Sequence, residues 1–183
     1  MQDNLSITLK QQTYSYHDRL DRIVRKLLIT LDGYRHFLTA QYCFHRDIVP
    51  LYQKKALLQL IPDLAERNRL PAIEADAAAL GLTLPSMQSA IPTGAKDTSS
   101  ALGWLYVAEG SKLGAAHIAR QLERHGLHDT YGLQHLHLGR DGVSGGWLRF
   151  RSLLDHTAVE AEQCIRHAQQ AFRRITRYLE CPG

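Results

Sequence analysis

From Leu20 to Leu179 the apolar residues recur at intervals of three and four, and strand-like alternation is nowhere sustained. That period is the one at which a helix buries a single face, so the chain is expected to be all helical. Leu20, Ile23, Val24, Leu27, Leu28 and Leu31 give a first helix over about 7–31, with His17 on the same face one turn earlier. Asp32-Gly33 is expected to break it and cap a second helix through Phe37, Ala40, Gln41, Phe44, Ile48 and Leu51, kinked or ended by Pro50. A short helix follows around Ala56–Leu60. Leu70-Pro71 opens an alanine-rich helix that Gly81 stops. Thr83 to Gly94, with Pro85, Pro92 and Gly94, reads as a loop. Asp97 or Thr98 caps a long helix ending near Gly126, and Leu127 to Gly146 reads as irregular. Two last helices are expected from Trp147 to about His156 and from Ala158 to Leu179.

With 183 residues, 44% of them hydrophobic, there is material for one substantial core, and a single domain over residues 1–183 is expected. The formal charge of +4, without any Lys/Arg block, suits a local anionic ligand or acidic partner and not a coat of nucleic acid. Cys43, Cys164 and Cys181 are odd in number, widely spaced and free of any Cys-x-x-Cys pattern. This argues against a disulfide framework, a zinc ribbon or covalent haem attachment, and fits a reducing cytoplasm. The N-terminus lacks a basic, apolar leader, and no apolar run approaches the ~18 residues that span a bilayer. A cytoplasmic protein with no membrane anchor is expected.

The anomaly lies in the long helix, Leu102-Gly103-Trp104-Leu105-Tyr106-Val107-Ala108-Glu109-Gly110-Ser111-Lys112-Leu113-Gly114-Ala115-Ala116-His117. A glycine inside a helix costs roughly 1 kcal/mol relative to alanine. Gly110 and Gly114 stand one turn apart on one face, so something is expected to approach that backbone closely. Two readings remain open on spacing alone: a second helix packed at a small-x-x-x-small contact, or a flat cofactor lying against the backbone.

The segment from Gly103 to Ala116 closely resembles the distal-helix signature of bacterial haem (heme) oxygenases of the kind used for iron acquisition. The resemblance continues, in matching order, through Tyr16-His17-Asp18-Arg19-Leu20, Ala40-Gln41-Tyr42, Pro50-Leu51-Tyr52 and the helix start at Gly146-Trp147. It implies a single-domain, all-α fold in which haem is sandwiched between a proximal first helix and a glycine-kinked distal helix. It also implies an enzyme that cleaves haem with O2 and reducing equivalents to biliverdin, carbon monoxide and ferrous iron, with haem both substrate and cofactor. His17 matches the axial histidine, the protein's ligand to the haem iron. Asp21, four residues on, is placed to contact its other ring nitrogen through water, where relatives commonly carry the longer glutamate.

By the same resemblance, Gly110, Ser111 and Gly114 crowd the bound dioxygen toward a meso carbon, and Arg69 matches an arginine that helps order the water protonating it. Lys10 precedes His17 by seven residues, roughly 10 Å along one helix face. Together with Tyr106 it matches the pair that anchors a haem propionate in relatives that cleave at the α position, so the α isomer of biliverdin is expected. Arg149 and Arg151, with Arg120 and Arg124, are candidates to surround the haem edge and attract an acidic ferredoxin or a flavoprotein reductase. Arg173, Arg174 and Arg177 read as ordinary exposed charges. His125, His128, His135 and His137 form no recognised metal pattern and read as a solvated loop. The rival readings are a non-catalytic haem carrier or sensor on the same fold, and a related helical protein acting on some other flat or small ligand.

Overall fold

Helix α5, Thr98–Gly110, is buried on every side from Ser99 to Glu109, as expected of a segment apolar all round. A computed structural model of the chain describes residues 4–86, 97–137 and 142–181. Around α5 lie α1 (Leu5–Leu27), α2 (Leu31–Ile48), α3 (Lys55–Leu60), α4 (Leu70–Ala79), α6 (Ala115–Leu122), α7 (Gly142–His156) and α8 (Ala161–Glu180). No β-strand occurs among the described residues; the extended backbone is limited to isolated bridges from His128 to Tyr131 and Gly132.

The closest helix pair is α5 with α8, and Gly103 explains why. A Cβ there would lie 2.3 Å from the Cys164 carbonyl oxygen and 2.9 Å from the Ala168 amide nitrogen, so only glycine lets the two backbones approach this far. The close-packing glycine is thus Gly103, not Gly110 or Gly114. α8 presents Cys164, Ala168, Ala171, Phe172, Ile175 and Leu179 inward at helical spacing. α1 lies along the same helix, α2 packs on α4 and α8, and α7 bridges α1 and α5.

Several expected boundaries move, each for a local reason. The first helix ends at Leu27, and α2 starts at Leu31 with Asp32 and Gly33 inside it; the cap is Thr30, whose hydroxyl accepts from the Gly33 N–H at 3.0 Å. The Asp32-Gly33 break is therefore corrected to Leu28–Thr30. Pro50 sits in the first turn of a 3-10 segment, Val49–Gln53, directly after α2. Gly81 closes α4 with a φ of 65°, as expected.

Asp97 caps α5, accepting from the Ser100 N–H at 2.8 Å and the Ser100 hydroxyl at 2.7 Å. The long helix expected to run to Gly126 is interrupted: α5 stops at Gly110, Ser111–Gly114 is a 3-10 turn, and α6 then runs to Leu122 before Gly126 turns the chain with a φ of 76°. α7 starts at Gly142, five residues ahead of Trp147, and α8 starts at Ala161 and not Ala158. Residues 87–94 of the expected loop and 138–141 of the expected irregular stretch lie outside the described residues.

Candidate functional site

Tyr106 of α5 lies beside Thr13 of α1. Thr13 donates its own proton to the Leu9 carbonyl at 2.7 Å. Thr13 lies one turn before His17 on α1, and Tyr106 one turn before Gly110 on α5. Their contact thus stands just upstream of both. Burial raises the Tyr106 pKa, so the group stays a phenol able to donate. Lys10, one turn before Thr13, is exposed on the same helix.

His17 is unusual for a residue on an otherwise inward-facing stripe, because its side chain is 60% exposed. Its ring meets Phe172 of α8 edge-on at 6.0 Å between centroids, and Nδ1 lies 3.3 Å from Asp21 Oδ2. Aspartate at this position therefore reaches the imidazole directly. With Nδ1 facing the carboxylate, Nε2 is the nitrogen left to bind an external group.

At the end of α5 the helix interruption changes what the glycines present. Among the described residues a Cβ on Gly114 would meet nothing within 4 Å, and one on Gly110 would meet only the Trp147 ring of α7, at 3.6 Å. Among them no second helix backbone packs on this stripe, which counts against the small-x-x-x-small reading. The bare backbone faces space bounded by an aromatic ring. Trp147 itself stacks on Phe150 at 6.0 Å and lies 5.6 Å from Tyr106.

Behind the kink lies a polar chamber that the sequence did not announce as a unit. Arg69 donates to the Ser111 hydroxyl at 2.6 Å, and Ser111 donates to the Ala108 carbonyl at 2.7 Å. The same guanidinium nitrogen lies 3.3 Å from His45 Nε2. His45 is buried, and burial, together with the charges of Arg69, His135 and Lys112, lowers its pKa well below the ordinary value. Arg69 Nε, His45 Nδ1, the Tyr52 hydroxyl and His135 Nε2 are buried without a protein partner. Orphaned polar atoms of this kind mark places where ordered water belongs.

The chamber also holds Glu109, gripped by Arg67 and Lys112 at 2.8 and 2.7 Å. A carboxylate directly after the apolar run Leu102–Ala108 was the one signal that could have revealed it. His45, Tyr52 and Arg67 gave no such signal, since each is an ordinary residue of its own helix or turn until the fold brings them together.

Other candidates divide. His135 is not solvated: it is buried, Nδ1 lies 2.7 Å from Asp76, and its ring packs against those of Tyr34 and Phe37. Among the described residues no group of three His, Cys, Asp or Glu side chains could hold a metal ion. Arg124 closes the end of α1 by donating to the Leu28 and Ile29 carbonyls. Arg174 is paired with the buried Asp47 at 2.8 Å and is structural, whereas Arg173 is exposed, as expected, and donates to the Tyr16 hydroxyl at 2.6 Å. Arg151 projects its charge toward Tyr106. Among the described residues no helix is long and apolar enough to cross a membrane.

The arrangement has parallels in known proteins. The family model described as Heme oxygenase matches residues 3–180. Heme oxygenase PigA of Pseudomonas aeruginosa is 36% identical over 169 residues, which cover 90% of this chain and 85% of that protein. The NO- and CO-bound heme oxygenase of Neisseria meningitidis superposes with a TM-score of 0.87 at 29% identity, covering 97% of this chain and 90% of that one. Heme oxygenase-1 of the cyanobacterium Synechocystis, solved in complex with heme, superposes with a TM-score of 0.73 over 97% of this chain and 91% of that one. At 16% identity it speaks for the fold alone.

Proposed function

The chain belongs to the haem (heme) oxygenase family of haem-degrading oxidoreductases, and from that premise we propose that the cleft between α1 and the kinked end of α5 seats haem for cleavage to the α isomer of biliverdin. The observation that carries the reading is the pairing of an exposed imidazole, oriented by Asp21, with a glycine stripe that nothing else occupies. Haem supplies the iron that activates dioxygen and the carbon that is oxidised.

His17 would hold the iron through Nε2, while Asp21 would keep the proton on Nδ1. Gly110 and Gly114 would leave room for dioxygen, and Trp147 would limit that room from the side. Ser111, its hydroxyl engaged by Arg69 and Ala108, keeps the 3-10 turn from swinging into the space. Arg69, His45 and Tyr52, with their unpartnered atoms, order the water through which protons arrive.

Lys10 and Tyr106 would take one propionate, since Tyr106 lies beside Thr13, one turn from Lys10 on α1. Anchoring that carboxylate would fix which way round haem is seated and so which carbon is oxidised. Exposed arginines about this edge, Arg149 and Arg151 among them, attract the acidic face of a ferredoxin or flavoprotein reductase that supplies electrons.

The test loads the protein with haem anaerobically, adds a reductant and then admits oxygen. Loss of the Soret band with appearance of biliverdin is expected; a stable haem complex would leave a carrier in its place. Separation of the extracted isomers tests the seating. Predominantly α product is expected, becoming mixed in the Lys10→Asn, Tyr106→Phe double variant, and a β or δ product from the unmodified protein would overturn the anchoring.

A further inference from the structure

Glu109 has no part in the roles just assigned, yet it is the most deeply buried carboxylate near the cleft, its side chain 2% exposed at the penultimate position of α5. Removing a carboxylate from water costs several kcal/mol unless it is paired on both oxygens. Here both are. Oε2 accepts from Arg67 at 2.8 Å and Oε1 accepts from Lys112 at 2.7 Å.

The positions of those two partners give the pairing its meaning. Lys112 lies inside the 3-10 turn Ser111–Gly114, so its bond to Glu109 ties that turn back to the end of α5. Arg67 belongs to the 3-10 turn Ala65–Arg67 and is itself held by Asp63 at 2.9 Å. The guanidinium nitrogen that meets Glu109 also donates to the Gly146 carbonyl at 3.4 Å. Gly146 immediately precedes Trp147, whose ring stands 3.6 Å from where a Cβ on Gly110 would lie. Both walls beside the oxygen position, the Gly110 backbone and the Trp147 ring, therefore hang on one guanidinium and one carboxylate.

A 3-10 turn has poorer hydrogen-bond geometry than the α-helix it interrupts. Left to itself, the segment would gain by continuing α5 through Ser111, and an external hold is what keeps the interruption in place.

We propose that Glu109 is a positioning residue: bridged between Arg67 and Lys112, it holds the 3-10 turn and sets the gap between Gly110 and the Trp147 ring into which dioxygen fits. The proposal rests on the haem oxygenase reading for the use of that gap, but the gap itself can be measured without haem.

Glu109→Gln preserves shape and one acceptor while removing the charge between the two cations, and Arg67 keeps Asp63 as a partner. Lys112→Met cuts only the bond across the kink, and Lys112→Arg keeps it. Trp104 is 2% exposed, so acrylamide quenching of the haem-free protein reports on Trp147.

For Glu109→Gln and Lys112→Met, greater quenching is expected, with kcat for haem cleavage lowered on the order of tenfold and haem affinity changed far less, the split expected of a group that acts on the reacting geometry. Lys112→Arg should retain both properties. Unchanged quenching and unchanged kcat in Glu109→Gln would overturn the proposal, as would parallel losses of kcat, haem affinity and melting temperature, which mark a merely structural pair. If Glu109→Gln does not fold, the comparison of Lys112→Met with Lys112→Arg carries the same decision. If the unmodified protein does not cleave haem, the functional reading fails, while quenching still decides whether Glu109 holds the gap.

Discussion

Asp155 on α7 accepts hydrogen bonds from both the backbone N–H and the hydroxyl of Ser6 on α1, at 2.8 and 2.9 Å. Asn4, the local cap residue, makes no side-chain cap bond, so the first turn of α1 is capped from 149 residues away. Lys10, one turn on, therefore stands on a tethered helix and not on a fraying end.

Asp155→Ala should release that turn. A lost N-cap lowers stability by about 1 kcal/mol, readable by urea denaturation of the haem-free protein. Because Lys10 then loses its fixed base, the bilin product should become a mixture of isomers. A variant that is destabilised but still yields one isomer would show that Lys10 does not need the tether.

His17→Ala removes a mostly exposed ring whose packing is an edge contact with Phe172. The fold should lose about 0.5 kcal/mol or less, while the ferric and ferrous-CO spectra of the haem complex change from those of an imidazole-ligated iron. Spectra identical to those of the unmodified protein would remove His17 from the iron.

Alanine at the two glycines separates folding from chemistry. Gly110→Ala places a methyl at ordinary contact distance, 3.6 Å, from the Trp147 ring, and Gly114→Ala places one in open space. Each should keep or raise the melting temperature of the haem-free protein, with up to roughly 1 kcal/mol gained in helix propensity. Turnover should nevertheless fall, more at Gly110, where the new methyl fills the gap beside Trp147. Normal biliverdin formation by Gly110→Ala would show that this backbone does not border the oxygen.

The buried histidines set an acid limit. Burial is the main cause that lowers the pKa of His45 and of His135, the latter opposed by its bond to Asp76. Below about pH 6.5 the unfolded chain takes up protons that the folded chain refuses. Stability should be at its full value above that pH and decline as pH falls through it, by at most about 1.4 kcal/mol per pH unit for each proton. Urea midpoints at pH 7.5 and 5.5 measure this, and His45→Gln should flatten the dependence. An unchanged slope in that variant would place the acid sensitivity elsewhere.

The sequence by itself determined the helices and the chemistry of the two faces that meet. Three-and-four spacing carries the core stripe of α8, the Asp97 cap and the Gly81 stop because each depends on neighbours within a turn or two. His17, Gly110 and Gly114 were singled out for a related reason, since a resembling motif preserves local order along the chain. Tertiary structure alone decided the rest. The end of α5 at Gly110, which helical periodicity carries straight through, is held by Arg67 from 42 residues away. The cap on α1 comes from Asp155, and His135, placed in a solvated loop by composition, is drawn inside by Asp76 from 59 residues away. Burying a charge or a backbone N–H is favourable only when a partner is buried with it. Where that partner is distant in sequence, no local pattern records the pairing, and only the packed helices bring it into reach.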